Sequence, residues 1–444
     1  MTPKQGSRRL PPLRAAVAVA VAALAAVPGS PGVAAAAAET VAIVGGRVHT
    51  AGAGGTLEGA TVLVVDGRIA AVGREVAVPP EARVIDAAGK VVTPGLFDSM
   101  TQLGLVEVGA VAGTRDASVD DDRVTAAFRI EDALNPASTL IPVNRMEGLT
   151  RAVVAPRPGE SLIAGQAAVI HLGDGADLVV RSPVAMVAVL GERGARLAGG
   201  SRGAAMLRLR EALEDARDFA AHRGEWERAA RRDYSLSRLD LEALVPVAEG
   251  RVPLLVSAER ASDIRAALRL AAELDLDLIV AGAAEGWMVA AELAAAGVPV
   301  LVDPLTNLPS SFETLGATLE NAARLHAAGV RVALMSGSSH NARNLRQLAG
   351  NAVAHGMPWD AALAAVTAVP AELWGVAERA GRLAPGLEAD VVVWTGDPLE
   401  LTTWPEHVFI RGVEVPMESR QTRLRDRYRD LPEPGELPPA YRRP

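Results

Sequence analysis

The chain of 444 residues has no cysteine. That excludes disulfides, thiolate metal ligands and a cysteine nucleophile. Lysine is nearly absent: Lys4 and Lys90 stand against 43 arginines. No lysine follows position 90, so no chemistry that needs an amine side chain is open to the rest of the chain. The chain also lacks an excess of positive charge. Its net charge of −8 speaks against a nucleic-acid partner and for simple solubility. Long apolar runs are missing too. The run Ala15–Val27 is too short to span a bilayer comfortably, and no other stretch is long and apolar enough.

What is present points to an exported globular protein. Lys4, Arg8, Arg9 and Arg14 precede the Ala15–Val27 run, and Pro28-Gly29-Ser30-Pro31-Gly32 breaks it. Ala36-Ala37-Ala38 then offers a small-residue cleavage site, so residues 1–38 read as a signal peptide. An uncleaved anchor is the alternative. Ser7-Arg8-Arg9 weakly suggests a twin-arginine signal, so the export route stays open between two systems. The mature chain is expected outside the cytoplasm with no stable membrane span.

The pattern from Val41 is β. Val41–Val44, Thr61–Val65 and Ile69–Val72 are short β-branched runs, and Asp66-Gly67 marks a hairpin. From about Pro94 strands and helices alternate. Pro253–Ala258, Leu276–Ala281, Val298–Val302 and Val330–Met335 are expected strands, apolar on both faces. Met288–Ala296 and Leu315–Ala328 are expected helices, each ended by a glycine. Parallel strands covered by helices produce this rhythm. Asp390–Trp394 and His407–Ile410 return to β. The expected organisation is a composite β-sandwich from residues 39–93 and 381–415, and a (β/α)8 TIM-like barrel over residues 94–380. An Arg/Pro-rich tail covers residues 416–444. The class is α/β, with the barrel inserted in the sandwich.

Three segments carry a family resemblance. Val92-Thr93-Pro94-Gly95-Leu96-Phe97-Asp98 is similar to the opening of the first barrel strand of metal-dependent amidohydrolases. Gly381-Arg382-Leu383-Ala384-Pro385-Gly386-Leu387-Glu388-Ala389-Asp390-Val391-Val392-Val393-Trp394 resembles that superfamily's return into its sandwich. His340-Asn341-Ala342-Arg343-Asn344-Leu345 resembles the segment after the last strand in its imidazolonepropionase-like and dipeptidase-like branch. Ser161–Leu172, with Gly165-Gln166, and the Val298–Pro304 strand are also similar. The resemblance runs from about Val41 to Gly412.

It implies one or two divalent metals at the barrel mouth, where a bound water is activated to attack a C–N or ester carbon. The implied ligands are His-x-His after strand one, a carboxylated Lys or Glu on strand four, a His on each of strands five and six, and an Asp on strand eight. At the matching positions this chain has Met100, Gln102, Ser257, Gly282 and Gly337. A thioether and an amide are poor partners for zinc, and glycine has no ligating side chain. Without a lysine beyond position 90, a carboxylated lysine is impossible. The expectation is no cofactor; a metal, if bound, would be zinc or another divalent transition ion.

Other candidates remain. Glu259, Asp303 and His340 fall near strand ends and form the candidate catalytic set of a rebuilt site. The bland alternative has Asp303 capping a turn before Pro304, His340 bonding its own loop, and Glu259 pairing with Arg260 or Arg343. Ser338-Ser339-His340 invites a Ser–His reading, but adjacent residues seldom meet productively and no acid is evident. His49, His171, His222, His326, His355 and His407 have no metal-ligand spacing and read as packing or surface residues. Asp116 and Asp120-Asp121-Asp122 lie in a loop after strand one, as a substrate contact, a Ca2+ site or a solvated acidic run.

The lead expectation is a degenerate amidohydrolase that binds a small-molecule ligand or pairs with an active relative. A working hydrolase of small-peptide or non-peptide C–N bonds is the alternative, and a structural subunit of a periplasmic assembly is the third. An oligomer fits all three.

Overall fold

The structure, a computed structural model, describes residues 39–429. The expected signal segment and the end of the tail, residues 430–444, lie outside the described residues.

The N-terminal β run forms five strands: β1 (Val41–His49), β2 (Thr56–Val65), β3 (Arg68–Gly73), β4 (Arg83–Asp86) and β5 (Val91–Pro94). Asp66 and Gly67, both at positive φ, make the tight β2–β3 turn that the Asp-Gly pair predicts. β1 changes partners along its length. Val41–Val44 pair in parallel with β4, and Arg47 and Val48 with β5. The ladder is bulged around Gly46, where an added Cβ would stand 2.9 Å from Val92 Cγ2. A side chain there would prise the strands apart.

Eight strands then build the barrel: β6 (Leu96–Thr101), β7 (Leu149–Val154), β8 (Ile163–His171), β9 (Val179–Val189), β10 (Leu254–Ala258), β11 (Leu278–Gly282), β12 (Val300–Val302) and β13 (Val332–Leu334). They lie side by side in chain order. Phe97, Val153, Leu255, Ile279, Leu301 and Ala333 fill the interior. Their neighbours on the opposite face, such as Val256, Val280 and Val300, pack outward against the helices. Burial on both faces explains why these strands read as unbroken apolar runs. The fold class expected from the sequence is the one observed.

One strand departs from the expected all-parallel rhythm. β8 is antiparallel to both β7 and β9. Only residues 155–162 and 172–178 connect it to its neighbours. A parallel crossover needs a dozen or more residues, so links this short force a reversal.

The expected helix Leu315–Ala328 is also shortened, to Asn321–Ala327. Gly316 is held out of it by tertiary bonds. Its N–H donates to Glu285 Oε1 (3.2 Å) and its carbonyl accepts from Trp287 Nε1 (2.8 Å).

The chain returns through β14 (Val391–Trp394), β15 (Pro405–Ile410) and β16 (Val413–Glu414). β14 runs antiparallel to β5, so both ends of the chain share one sheet, ordered β16-β15-β14-β5-β1-β2-β3 with β4 on β1. Arg151 on β7 fastens this sheet to the barrel. It is 1% exposed and bonds Asp390 Oδ2 (2.5 Å) and Glu388. In the tail, Arg420–Arg429 is helical.

Candidate functional site

The C-terminal ends of the parallel strands form the barrel mouth, the place where barrels of this kind hold their chemistry. The first strand delivers Asp98, Met100 and Gln102. Asp98 is fully buried. Its Oδ1 accepts the N–H of Met100 (3.1 Å) and of Ser336, just past β13 (3.1 Å). It thus ties the first strand to the last. Its Oδ2 has no partner. Burial pushes its pKa up to about 7. The bonds from Ser336 and Met100 oppose the rise, and the charge of Asp303 adds to it.

A second tie crosses the same seam. The Gly337 N–H donates to the Met100 carbonyl (3.1 Å). Gly337 stands at φ +59, in the left-handed region that favours glycine. Arg157, beyond β7, then donates to Gln102 Oε1 (2.8 Å) and the Gly337 carbonyl (3.1 Å). Gln102 and Gly337, two positions where the resemblance implies ligands, are thus joined by one guanidinium.

On the far side β10 carries Ser257 and leads into Glu259. Glu259 Oε2 accepts the Ala284 N–H (2.9 Å). The carboxylate lies over Gly282, whose φ is +88. A Cβ at 282 would come within 2.6 Å of Glu259 Cδ. The space that a side chain at 282 would use is therefore filled by the Glu259 carboxylate. Burial raises the proton affinity of Glu259; the Ala284 N–H opposes this, and the charges of Glu313 and Asp303 reinforce it.

Asp303 follows β12. Its Oδ1 accepts the Leu305 N–H (3.0 Å), and its carbonyl accepts the Thr306 N–H (3.1 Å). It does cap a turn around Pro304. Burial raises its pKa as well. Asp303 acts on both Asp98 and Glu259, so the structure brings these acids into electrostatic range of one another. His340 is not among the groups acting on them. It is exposed and makes no side-chain hydrogen bond among the described residues. Glu259 pairs with neither Arg260 nor Arg343 among the described residues; its anchor is a backbone N–H.

The donor set does not fit a divalent metal. The positions where the resemblance implies ligands present a thioether, an amide, a hydroxyl and two glycines. Among the described residues no group of three or more His, Asp or Glu side chains is placed to hold an ion. Four of the remaining histidines have partners of their own. His49 Nδ1 meets Thr56 Oγ1 (2.9 Å) and its ring lies 4.4 Å from that of Trp359. His171 Nε2 meets the Asp177 carbonyl (3.0 Å), His407 meets Glu414 (2.6 Å), and His222 meets the Asp218 carbonyl (3.0 Å). In the acidic loop, Asp121 pairs with Arg123 (2.6 Å).

Sequence reasoning missed two residues that organise the mouth. Arg157 had no motif to mark it. Asp98 was read only as the end of the Pro-Gly-Leu-Phe-Asp run, although a lone acid inside an apolar strand is itself a sign of a built interaction. A cavity of about 960 Å3 lies elsewhere, between the sheet domain and the segments that follow β13, with His49, Asp360, Glu372 and Arg382 in its wall. It shares no residue with the mouth.

Comparison with known proteins finds similarity to the amidohydrolase family. The model of the amidohydrolase family matches residues 258–415. The chain is 27% identical over 401 residues to an imidazolonepropionase of Cereibacter sphaeroides, a match covering 80% of this chain and 94% of that one. It is 26% identical over 366 residues to the amidohydrolase tasK of Hapsidospora irregularis, over 76% of this chain but only 37% of that much longer protein. Among solved structures, an amidohydrolase from Thermotoga maritima MSB8 superposes with a TM-score of 0.77 at 26% identity, over 85% of this chain and 99% of that one.

Proposed function

This chain belongs to the amidohydrolase superfamily, and from that premise we propose that it is an exported member that has lost metal-dependent hydrolysis and serves as a ligand-binding or partner subunit. The observation that carries this reading is the Glu259 carboxylate over Gly282. A ligand missing from one position can be replaced by a neighbour. Here the position has no side chain, and its space is occupied by a carboxylate held on a backbone N–H. Met100, Gln102, Ser257 and Gly337 compound the loss at the other strands.

The test is the metal content of the purified mature chain, by elemental mass spectrometry after dialysis without chelator. Less than about a tenth of an equivalent supports the reading, because structural and catalytic zinc sites bind far more tightly than dialysis can strip. Near-stoichiometric zinc, manganese or iron overturns it.

A second reading has its own support. Asp98, Glu259 and Asp303 all hold protons more tightly than free acids. Acids tuned upward are suited to general acid–base work near neutral pH. On this reading the chain hydrolyses small-peptide or non-peptide C–N bonds at a rebuilt site without a metal. Turnover of small amides or dipeptides by the metal-free chain, abolished by Asp303→Asn, would favour it over the first.

A further inference from the structure

Single exposed apolar side chains are normal on a folded surface; a concentration of them is not. The loop from β12 to the helix Asn321–Ala327 carries four within eleven residues. Leu305, Leu308, Phe312 and Leu315 are all exposed, Leu308 by 68% and Phe312 by 82%. By contrast Phe97, Phe219 and Phe409 are fully buried. Met288, also exposed, lies against Gly316 at the loop's end.

The loop is braced at its base. Asp303 fixes its start through the N–H groups of Leu305 and Thr306. The Ser311 N–H donates to Thr314 Oγ1 (3.1 Å), and that hydroxyl donates to the Ser311 carbonyl (3.2 Å). Glu313 Oε2 accepts the Glu192 N–H (2.6 Å) and an Arg202 N–H (3.3 Å). Glu285 and Trp287 hold Gly316. A surface already ordered in this way loses little further freedom when it is covered. No side chain from Pro304 to Phe312 carries a charge. The acids on its far side have partners in their own chain, Glu313 in Arg202 and Glu320 in Arg324.

We propose that this loop is the twofold contact between two copies of the chain. A twofold contact sets one patch against its own image, so the patch must tolerate itself. An uncharged apolar tip beside acids that already have partners does so. The area also agrees. The exposed fractions of Met288 and the four loop residues amount to about three whole side chains, on the order of 450 Å2 at about 150 Å2 each. One side of a standard interface covers about 800 Å2, somewhat over half of it apolar. A membrane surface suits the loop less well. Segments that lie in a bilayer interface use Lys or Arg for the headgroups, and residues 303–320 contain neither. Because the loop leaves the C-terminal end of β12, pairing sets both barrel mouths toward the interface. The contact stands whether or not the mouth hydrolyses anything.

The test is sedimentation velocity of the full mature chain up to about 100 µM, above the weak end of the affinities that such areas give. The expected species is a dimer. Leu308→Ser with Phe312→Ser should raise its dissociation constant at least about a hundredfold, since two central anchors are lost from each side. Both residues are exposed, so an unchanged far-UV spectrum is expected of the variant. The chain has no cysteine, so Ser310→Cys places a lone thiol between the two anchors. Mild oxidation should join it to its counterpart on the second copy, and should do so far more slowly in the Leu308→Ser, Phe312→Ser background. A natural chain that stays monomeric would overturn the proposal, and co-sedimentation of that monomer with anionic vesicles would give the patch to a membrane. A dimer that the double variant leaves unchanged would overturn it too, by placing the contact on another face.

Discussion

Asp98 gives the sharpest physical test of the mouth. Its carboxyl is buried, tied to two backbone N–H groups through one oxygen and unpaired at the other. Its pKa is raised from 3.8 to about 7, chiefly by burial. A group raised in the folded state binds more protons there than in the unfolded chain between those two values, so folding stability falls as pH rises through that window. At about 1.4 kcal/mol per pH unit, the whole effect is about 4 kcal/mol above neutrality. About 2.5 kcal/mol of this develops between pH 5 and pH 8, on the same linkage. Asp98→Asn keeps an acceptor for Met100 and Ser336 but cannot ionise. The variant should therefore gain about 2.5 kcal/mol relative to the natural chain when both are moved from pH 5 to pH 8. Urea unfolding of the two proteins at each pH reads this directly. A difference that does not change with pH would mean that Asp98 ionises freely in the fold, and the claim of a buried, proton-holding seam would fail.

The other expectations are simpler. Gly282→Ala sets a Cβ against the Glu259 carboxylate at a residue with φ +88, and should destabilise by about 2 kcal/mol or more. Adding Glu259→Ala should recover the part due to the clash and leave about 1 kcal/mol due to the backbone, as read from urea midpoints of the two variants. Arg151→Met leaves Glu388 and Asp390 without their buried partner, and should cost about 3–5 kcal/mol near neutral pH. Burial pushes the Glu388 carboxyl up, but Arg151 and Arg379 hold it below its usual value. Stability from that contact is thus present above the unfolded value and lost on acidification, so the Arg151→Met penalty should shrink below about pH 4. Met100→His with Gln102→His should neither take up zinc above the level of the natural chain nor hydrolyse amides, by elemental analysis and activity screening. Strong hydrolysis by that pair would mean the other ligand positions were misassigned.

Much of the barrel was legible because its strands carry long buried runs. Stretches such as Leu254–Ala258 and Leu278–Gly282 are apolar on both faces for one physical reason, burial between helices and interior. The reversed β8 was not legible. Its residues are as apolar as those of a parallel strand, and the deciding feature is the length of the links on either side, which a search for strand-helix alternation passes over. The Leu315–Ala328 periodicity failed for a different reason. A helical pattern was overruled at Gly316 by bonds to Glu285 and Trp287, residues some thirty positions earlier. At the mouth, the residues standing where the family resemblance implies ligands could be read from the motifs alone. What filled their place could not. That Glu259 would settle on the Ala284 N–H and not on an arginine depends on the left-handed turn at Gly282 and Ala283, both at positive φ, and no local signal in the sequence announces where a carboxylate will find its donor.

A metal centre cross-links a barrel mouth, since ligands on several strands converge on one ion. The mouth of this chain has other links in the same places. Asp98 joins strand one to the segment after strand eight, Gly337 donates across the same seam, and Arg157 ties strand two's end to both. Glu259 joins strand five's end to the turn after strand six. Two of these involve positions that a metal-binding set would have to change. Gln102 would have to release Arg157 to become a ligating His, and a side chain at 282 would have to expel Glu259. Restoring a metal centre therefore requires breaking the links that hold the mouth in its present form, and single ligand restorations should destabilise the barrel before they bind an ion.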